Sequence, residues 1–441
     1  MDFLGLERAL FAPAPAEGAA FLRVEADGSV LRMRSYHVFQ PHELDGEAYG
    51  HVTIREDVQI RELAAIKRAG CATVEVHTHP GTQHAVSFSH YDDEQLPMFA
   101  RYVQNKLRGR PFGALVLGES GYAGRGWTAD RNEEPLELAL VGERLTLPEW
   151  SVPAASDLGH AELFDRQIRA LGLDGQSRIG RLNVAVVGVG GTGSQIVQQL
   201  AHLGVQRFTL IEDDRVERSN LPRLAGARWS DPMLRRSKVA VARRTVRGIS
   251  RSAKIRSTGT LRCTESLKAL QEVDLIVGCV DNDGARLILG EAAAAYLIPY
   301  LDLGVGIEEQ THGFAAQIGG RIAFYVPGGP CLACADELDF DEAREDLESE
   351  AAHALRLERG YARDRRIEPA LMPLNTVIAG SGMMEFLAYF TGVRAVRPFY
   401  RFDAVRSAIV GINAEIQADC PVCQPAYARG PRQQLERYAL S

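Results

Sequence analysis

The spacing of apolar positions changes several times along this chain, and each change marks an element. Ala19 to Val24 reads as a strand closed by an Asp-Gly turn. Residues 56–70 carry apolar side chains at helical intervals and stop at Gly70. From Cys71 to Gly81, CATVEVHTHPG alternates with period two, which sets Glu75, His77 and His79 on one face of a strand. Two histidines flanking one residue on a strand converge on a point, as metal ligands must, and Pro80 and Gly81 end the element. Ser89-His-Tyr-Asp92 then opens another apolar helical pattern, and Ser89 with Asp92 also reads as a helix capping box. Residues 108–127 return to strand character.

The second half of the chain alternates strands with helices. Val184–Val187 is an unbroken apolar run, as expected of a central parallel strand covered on both faces. It runs into Gly188-Val-Gly190-Gly191-Thr-Gly193, and then into a stretch, QIVQQLAHLG, with helical spacing. Strand, glycine turn and helix together aim backbone N–H groups at an anionic phosphate. Glycine is required because a Cβ would block the turn and the approach of the phosphate. A second strand, RFTLIEDD, places Glu212 at its end, where a carboxylate can bind ribose hydroxyls. A third, VDLIVGCV, leads into Asp281-Asn282, suited to coordinate Mg²⁺ over phosphates. Asp214, Asn220, Arg223 and Lys238 add a carboxylate, an amide and two cations after the second strand. A nicotinamide enzyme has little use for that set, whereas an enzyme that breaks a triphosphate needs it to neutralise the leaving pyrophosphate.

The polar, Pro/Ala/Ser-rich segment around residues 148–158 predicts a boundary. We therefore expect an α/β protein of two domains, 1–152 and 153–441, the second a Rossmann-like doubly wound fold. The net charge of −7 gives no reason to expect nucleic-acid binding. No apolar run is long enough to span a bilayer, and the first residues lack the pattern of a signal peptide, so a cytoplasmic protein is expected. Of seven cysteines, four form the pairs Cys331/Cys334 and Cys420/Cys423. Two CxxC pairs match a closed tetrahedral structural Zn²⁺ site better than disulfides. The acidic stretch after Cys334 reads as a solvated helical face or a mobile crossover segment, and residues 370–392 as a helix of core or dimer packing.

Glu17, His77-Thr-His79-Pro80 and Ser89-x-x-Asp92 together resemble the JAMM motif of the JAB/MPN zinc metallopeptidases, which act on ubiquitin-like proteins. The resemblance implies that His77, His79 and Asp92 hold a catalytic Zn²⁺ with one position open to water. It implies Glu17 as general acid/base, with Glu25, Glu43 and Glu47 as other candidates, and Ser89 as an oxyanion stabiliser. Asp165-Arg166-Gln167, the glycine turn through Ser194, IEDDRVERSNLPR (211–223), Ser237-Lys238, Val280-Asp281-Asn282 and the paired CxxC resemble the ThiF/MoeB/HesA branch of the ubiquitin-activating (E1-like) superfamily. This implies an ATP and Mg²⁺ site lined by Gly191, Glu212, Ser219, Asn220, Arg223, Lys238, Asp281 and Asn282. It also implies a homodimer through the adenylation domain, in which Arg166 reaches the triphosphate of the opposite subunit.

The two resemblances combine into an expected bifunctional enzyme that cleaves after the C-terminal glycine of a ubiquitin-like protein and adenylates that C-terminus. A separate conjugating enzyme is a possible partner. The gap between the cysteine pairs, where thioester-forming members usually carry the acceptor, contains no cysteine. Adenylation without an internal thioester is therefore expected, Cys263 being the residue that could serve otherwise. The alternatives are activation of a sulfur-carrier protein for thiamin, molybdopterin or cysteine-type biosynthesis, and an N-terminal domain that only docks the partner.

Overall fold

The computed structural model describes residues 6, 9–14, 16–27, 30–45, 53–80, 86–118, 122–136, 162–309, 315–348, 358, 369–427 and 429–440. The chain divides into two compact units, Met1–Leu140 with Thr146–Ala154, and Val141–Leu145 with Ala155–Ser441. The boundary expected near 148–158 lies outside the described residues.

The N-terminal unit contains β1 (Ala19–Asp27), β2 (Val30–Val38), α1 (Glu56–Arg68), β3 (Ala72–Thr78), α2 (His90–Lys106), β4 (Phe112–Leu117), β5 (Tyr122–Trp127) and β6 (Glu133–Pro135). They form a six-stranded sheet in the order β2-β1-β3-β4-β5-β6, in which β3 and β4 are parallel and the other pairs antiparallel. Period-two alternation sorts the core. Ala72, Val74 and Val76 pack with Leu22, Val24 and Leu115 on one face. Phe21, Ala114 and Val116 pack on the other with Leu63 and Ile66 of α1 and Leu96, Ala100 and Val103 of α2. Thr73, Glu75 and His77 therefore face the helices. Helix α1 forms with Glu56 and Asp57 in its first turn and Lys67 and Arg68 in its last, which suits the helix dipole.

The C-terminal unit contains α3 (Asp165–Arg181), β7 (Asn183–Val187), α4 (Gly191–Leu203), β8 (Arg207–Ile211), α5 (Lys238–Ile249), β9 (Lys254–Thr258), β10 (Leu275–Gly278), α6 (Asp283–Tyr296), β11 (Tyr300–Glu309), β12 (Ala315–Tyr325), α7 (Phe340–Leu347), α8 (Met372–Thr391), β13 (Phe399–Asp403) and β14 (Ala408–Gly411). The sheet order is β9-β8-β7-β10-β11-β12-β13-β14. Strands β9 to β11 run parallel and the remainder antiparallel. The result is a mixed α/β, Rossmann-like unit with an antiparallel extension. Val184, Val186, Leu210 and Val277 face a core completed by α4, α5 and α8, while Ala185, Val187 and Ile276 face α6 and the cysteine region. Residues 370–392 do form a core helix. Among the described residues, no helix is long and apolar enough to cross a membrane.

Phe386 of α8 is fully buried, its ring 5.0 Å from that of Phe390. Phe386→Ala is expected to lower the stability of this unit by about 3–5 kcal/mol, read as a shift in its urea unfolding midpoint without a change in slope.

Candidate functional site

The chain winds from β7 through β8 to β9 on one side of the sheet, then resumes at β10 on the other side of β7. The ends of β7, β8 and β10 thus frame the topological switch point, where open α/β sheets bind ligands. Gly188 has φ +82°, and a Cβ there would lie 2.5 Å from the Cys279 carbonyl oxygen. A Cβ on Gly193 would lie 1.9 Å from the Gly188 oxygen. Gly190 is the N-cap of α4, with open space where a Cβ would stand, and Gly191 begins the helix. Helix-start N–H groups of this kind favour an anion.

Glu212, directly after β8, accepts hydrogen bonds from Val189 N (3.0 Å) at Oε2 and from Asp214 N (2.9 Å) at Oε1. The carboxylate assigned to ribose by sequence thus also ties the glycine turn to the following loop. Lys238 is the first residue of α5, a helix capped by the Ser237 side chain. An isolated bridge between Arg215 and Ser237, and a bond from Lys238 N to Asp214 O (2.9 Å), bring α5 to that loop. Lys238 Nζ consequently lies 2.6 Å from Asp214 Oδ2 and 3.7 Å from Glu212 Oε2. Asn220 is buried and accepts from Glu217 N (3.0 Å), while the Ser219 hydroxyl donates to Glu217 Oε2 (3.3 Å). The Arg223 N donates to Asn220 O (3.0 Å), and the Arg223 Cβ stands 3.8 Å from where a Gly191 Cβ would be. Asp281 is exposed, and its neighbour Asn282 caps α6 by accepting from Ala285 N (2.8 Å). The contact of Cys279 with Gly188 sets this pair beside the glycine turn. Arg166 lies exposed in the first turn of α3.

Two residues here carry no sequence signal. Asn375, buried on α8, places its amide nitrogen 2.3 Å from an ideal Gly191 Cβ position. Asp346 of α7 accepts from Asp283 N (2.9 Å) and Gly284 N (3.1 Å), so the acidic segment after Cys334 fastens to the start of α6. The two remaining cysteines of this unit, Cys263 and Cys279, are free and half-buried. Burial and the Asp302 carboxylate push the Cys279 thiol up, and Cys263 caps the short helix Thr264–Ala269.

Cys331, Cys334, Cys420 and Cys423 converge, all buried, with Sγ separations of 3.8, 3.6 and 3.7 Å for the 331/334, 331/420 and 334/423 pairs. A tetrahedral ion with Zn–S arms of about 2.3 Å gives S···S edges of about 3.8 Å. The four thiols fit such an ion.

In the N-terminal unit, β1 pairs Ala19 with His77, which sets Glu17 across from His79. His79 Nε2 lies 3.8 Å from Glu17 Oε1 and 3.7 Å from Asp92 Oδ2, and His77 Nε2 lies 3.6 Å from the same Asp92 oxygen. Asp92 sits in the first turn of α2. Ser89 caps that helix, and both its backbone N and its hydroxyl donate to Asp92 Oδ2 at 2.7 Å. His77 Nε2 is buried with no hydrogen-bond partner, as expected of an atom aimed at a cation. Burial disfavours charge on His77, but the Glu75 and Asp92 carboxylates outweigh it and push its pKa up to about 10. His79 is shifted down by burial and by the nearby His77 charge. Asp92, against its burial, is held low by His77 and Ser89. Of the other glutamates considered, Glu25 pairs with Arg34, Glu43 pairs with His37 and Arg61, and Glu47 lies outside the described residues. His90 is exposed beside Glu94, away from this cluster.

The fold and the crevice define a Rossmann-like α/β protein with a glycine turn at its switch point. The ThiF family model matches residues 164–422, more than half of the chain, and the chain belongs to that family. Molybdopterin-synthase adenylyltransferase of Escherichia coli (strain K12) is 32% identical over 180 residues, covering 40% of this chain and 68% of the relative. Ubiquitin-like modifier-activating enzyme 5 of Oryza sativa subsp. japonica is 24% identical over 268 residues, 57% of this chain and 58% of that protein. Adenylyltransferase and sulfurtransferase MOCS3 of Sus scrofa is 29% identical over 208 residues, and the match spans 45% of this chain and 43% of the relative. The chain thus covers less than two thirds of the rice and pig relatives. A crystal structure of E. coli MccB with MccA-N7isoASN aligns at a TM-score of 0.49 and 17% identity, over 62% of this chain and 77% of that one.

Gly193→Ala forces a Cβ into backbone at 1.9 Å. It is expected to destabilise the unit by more than ~3 kcal/mol, measured by urea unfolding. Cys334→Ser is expected to remove one zinc equivalent per chain, measured by elemental analysis after dialysis.

Proposed function

We propose that the C-terminal unit adenylates the C-terminal glycine of a ubiquitin-like or sulfur-carrier protein. The observation that carries this reading is the meeting of Glu212, Asp214 and Lys238 with the glycine turn, and Arg223 beside Gly191, in a ThiF-family chain. The N–H groups at the start of α4 receive ATP phosphate, and Glu212 takes the ribose. Asp281 and Asn282 are the residues that would hold Mg²⁺, which when bound shields phosphate charge. The glycine carboxylate attacks the α-phosphorus, the bond to the β-phosphate oxygen breaks, and pyrophosphate leaves as the acyl-adenylate forms. Arg223 and Lys238 neutralise the charge that grows on pyrophosphate, with Ser219 and Asn220 lining the site. Arg166 reaches the site of a second subunit in a homodimer. With the Cys279 thiol pushed up and Cys263 engaged in capping a short helix, the acyl group passes to an external acceptor.

The N-terminal unit is, in this reading, a JAB/MPN-type zinc peptidase that cleaves after the same glycine. His77, His79 and Asp92 would hold the zinc, which supplies a Lewis acid and an acidified water when bound. Glu17 accepts and returns the proton at its carboxylate, and Ser89 holds Asp92 and would stabilise the oxyanion. The product of this reaction is the substrate of the other, which favours one chain for both. The relatives include a ubiquitin-like modifier-activating enzyme and a molybdopterin-synthase adenylyltransferase, so a sulfur carrier is the second reading of the partner.

ATP–pyrophosphate exchange that depends on a small protein ending in Gly-Gly is the expected result. Arg223→Ala and Lys238→Ala should each lower it by on the order of 10²-fold with unfolding unchanged. Exchange supported by a free acid alone would overturn the reading. Glu17→Gln is expected to abolish cleavage of a C-terminally extended partner while binding persists; a chain whose parent form binds but never cleaves would make the N-terminal unit a docking module.

A further inference from the structure

Glu75 has no place in the chemistry above, yet it is a carboxylate buried on the helix-facing side of β3, 7% exposed. Its neighbours across the sheet are Phe21 on β1 and Ala114 on β4, which offer it no charge. Its oxygens lie 3.2 and 3.5 Å from His77 Nδ1. A carboxylate in such surroundings is expensive to bury without a strong partner, and an imidazole is the partner this one has. The opposite ring nitrogen, His77 Nε2, is buried without a hydrogen-bond partner and faces Asp92 at 3.6 Å, beyond hydrogen-bond range. One ring nitrogen is thus held by a carboxylate while the other points, unsatisfied, at the cluster with His79 and Asp92.

We infer that Glu75 is a positioning residue, which accepts the Nδ1–H of His77 and so fixes its tautomer and ring plane with the Nε2 lone pair directed at a metal ion. This rests on the zinc reading of the N-terminal unit. The physical basis is general: a carboxylate on the far nitrogen of a ligating histidine orients the ring and raises its basicity, and its loss usually weakens metal binding by roughly 10–100-fold. The spacing is a direct consequence of the strand. Residues two apart share a face, so Glu75 can reach His77 because both stand on the side that α1 and α2 cover. Among the described residues, the hydrogen-bond contacts of Glu75 go to His77 Nδ1, so it acts through His77.

The test is zinc affinity of the full chain, by competition with a chromophoric chelator. The four-cysteine cluster is an internal control that should stay loaded in every variant. Glu75→Leu, which removes the acceptor and keeps the volume apolar, should weaken the weaker zinc equivalent by roughly 100-fold, and Glu75→Gln, which keeps an acceptor without the charge, by roughly 10-fold. In the zinc-loaded parent, ¹⁵N spectra should report His77 protonated at Nδ1, a signal that Glu75→Leu should displace. A purely structural carboxylate would lower the unfolding midpoint in both variants and leave the affinity at the parent value; that result overturns the inference and leaves the zinc site standing. A parent chain that binds one zinc only, unaffected by His77→Ala, removes the zinc reading itself and Glu75's role with it.

Discussion

Two backbone segments of the C-terminal unit approach so closely that no side chain fits between them. Gly193, one turn into α4, presses on the carbonyl oxygen of Gly188, and Gly188 presses in turn on the carbonyl of Cys279. A helix that starts this near its own strand has its first N–H groups facing the crevice rather than covered by intervening side chains. The same tightness lets one glutamate span the turn. Glu212 grips Val189 with one oxygen and Asp214 with the other, and Lys238 is drawn onto both carboxylates by the bridge between Arg215 and Ser237. The polar half of the site is therefore built on contacts in which a glycine, bearing hydrogen in place of a side chain, meets a carbonyl oxygen.

The N-terminal unit reaches its polar cluster by a different rule. Its sheet keeps mainly apolar residues on one face and spends part of the other, otherwise closed by α1 and α2, on Glu75, His77 and, beyond the strand end, His79. Antiparallel register with β1 supplies Glu17 from the opposite direction, and the start of α2 supplies Asp92 through a capping arrangement with Ser89. The two metal-type clusters of the chain differ accordingly. Four buried thiols form a closed set, whereas the histidine set has three members, one of which has a buried ring nitrogen without a hydrogen-bond partner.

Much of this was legible in the order of residues because the rules involved are local. Alternation placed His77 and His79 together, and the glycine spacing announced the turn. The cysteine pairs announced their meeting because two short spacings leave few other uses for four thiols. What could not be read depends on long-range pairing. Asn375 sits on a mostly apolar helix, some 180 residues from the Gly191 it touches, and nothing local distinguishes it from a core asparagine. Asp346 lies in an acidic run that reads as a solvated face, though its carboxylate closes the first turn of α6. Glu75 was visible as a residue on the histidine face, but its burial, which gives it meaning, follows only once α1 and α2 cover that face of the sheet. Glu17 could be told from Glu25 and Glu43 only by register, since those two turn to arginines instead.

The cysteine pairs bracket the segment that contains α8, and α8 carries the asparagine that backs the glycine turn. A four-thiol staple at the ends of that segment therefore governs more than its own surroundings. Releasing it frees a long tether whose closed form costs chain entropy, and the first functional contact exposed to that slack is Asn375 against Gly191. A chain cut short of Cys420 would keep every residue of the crevice in its sequence while losing the anchor that keeps the back wall of that crevice in register.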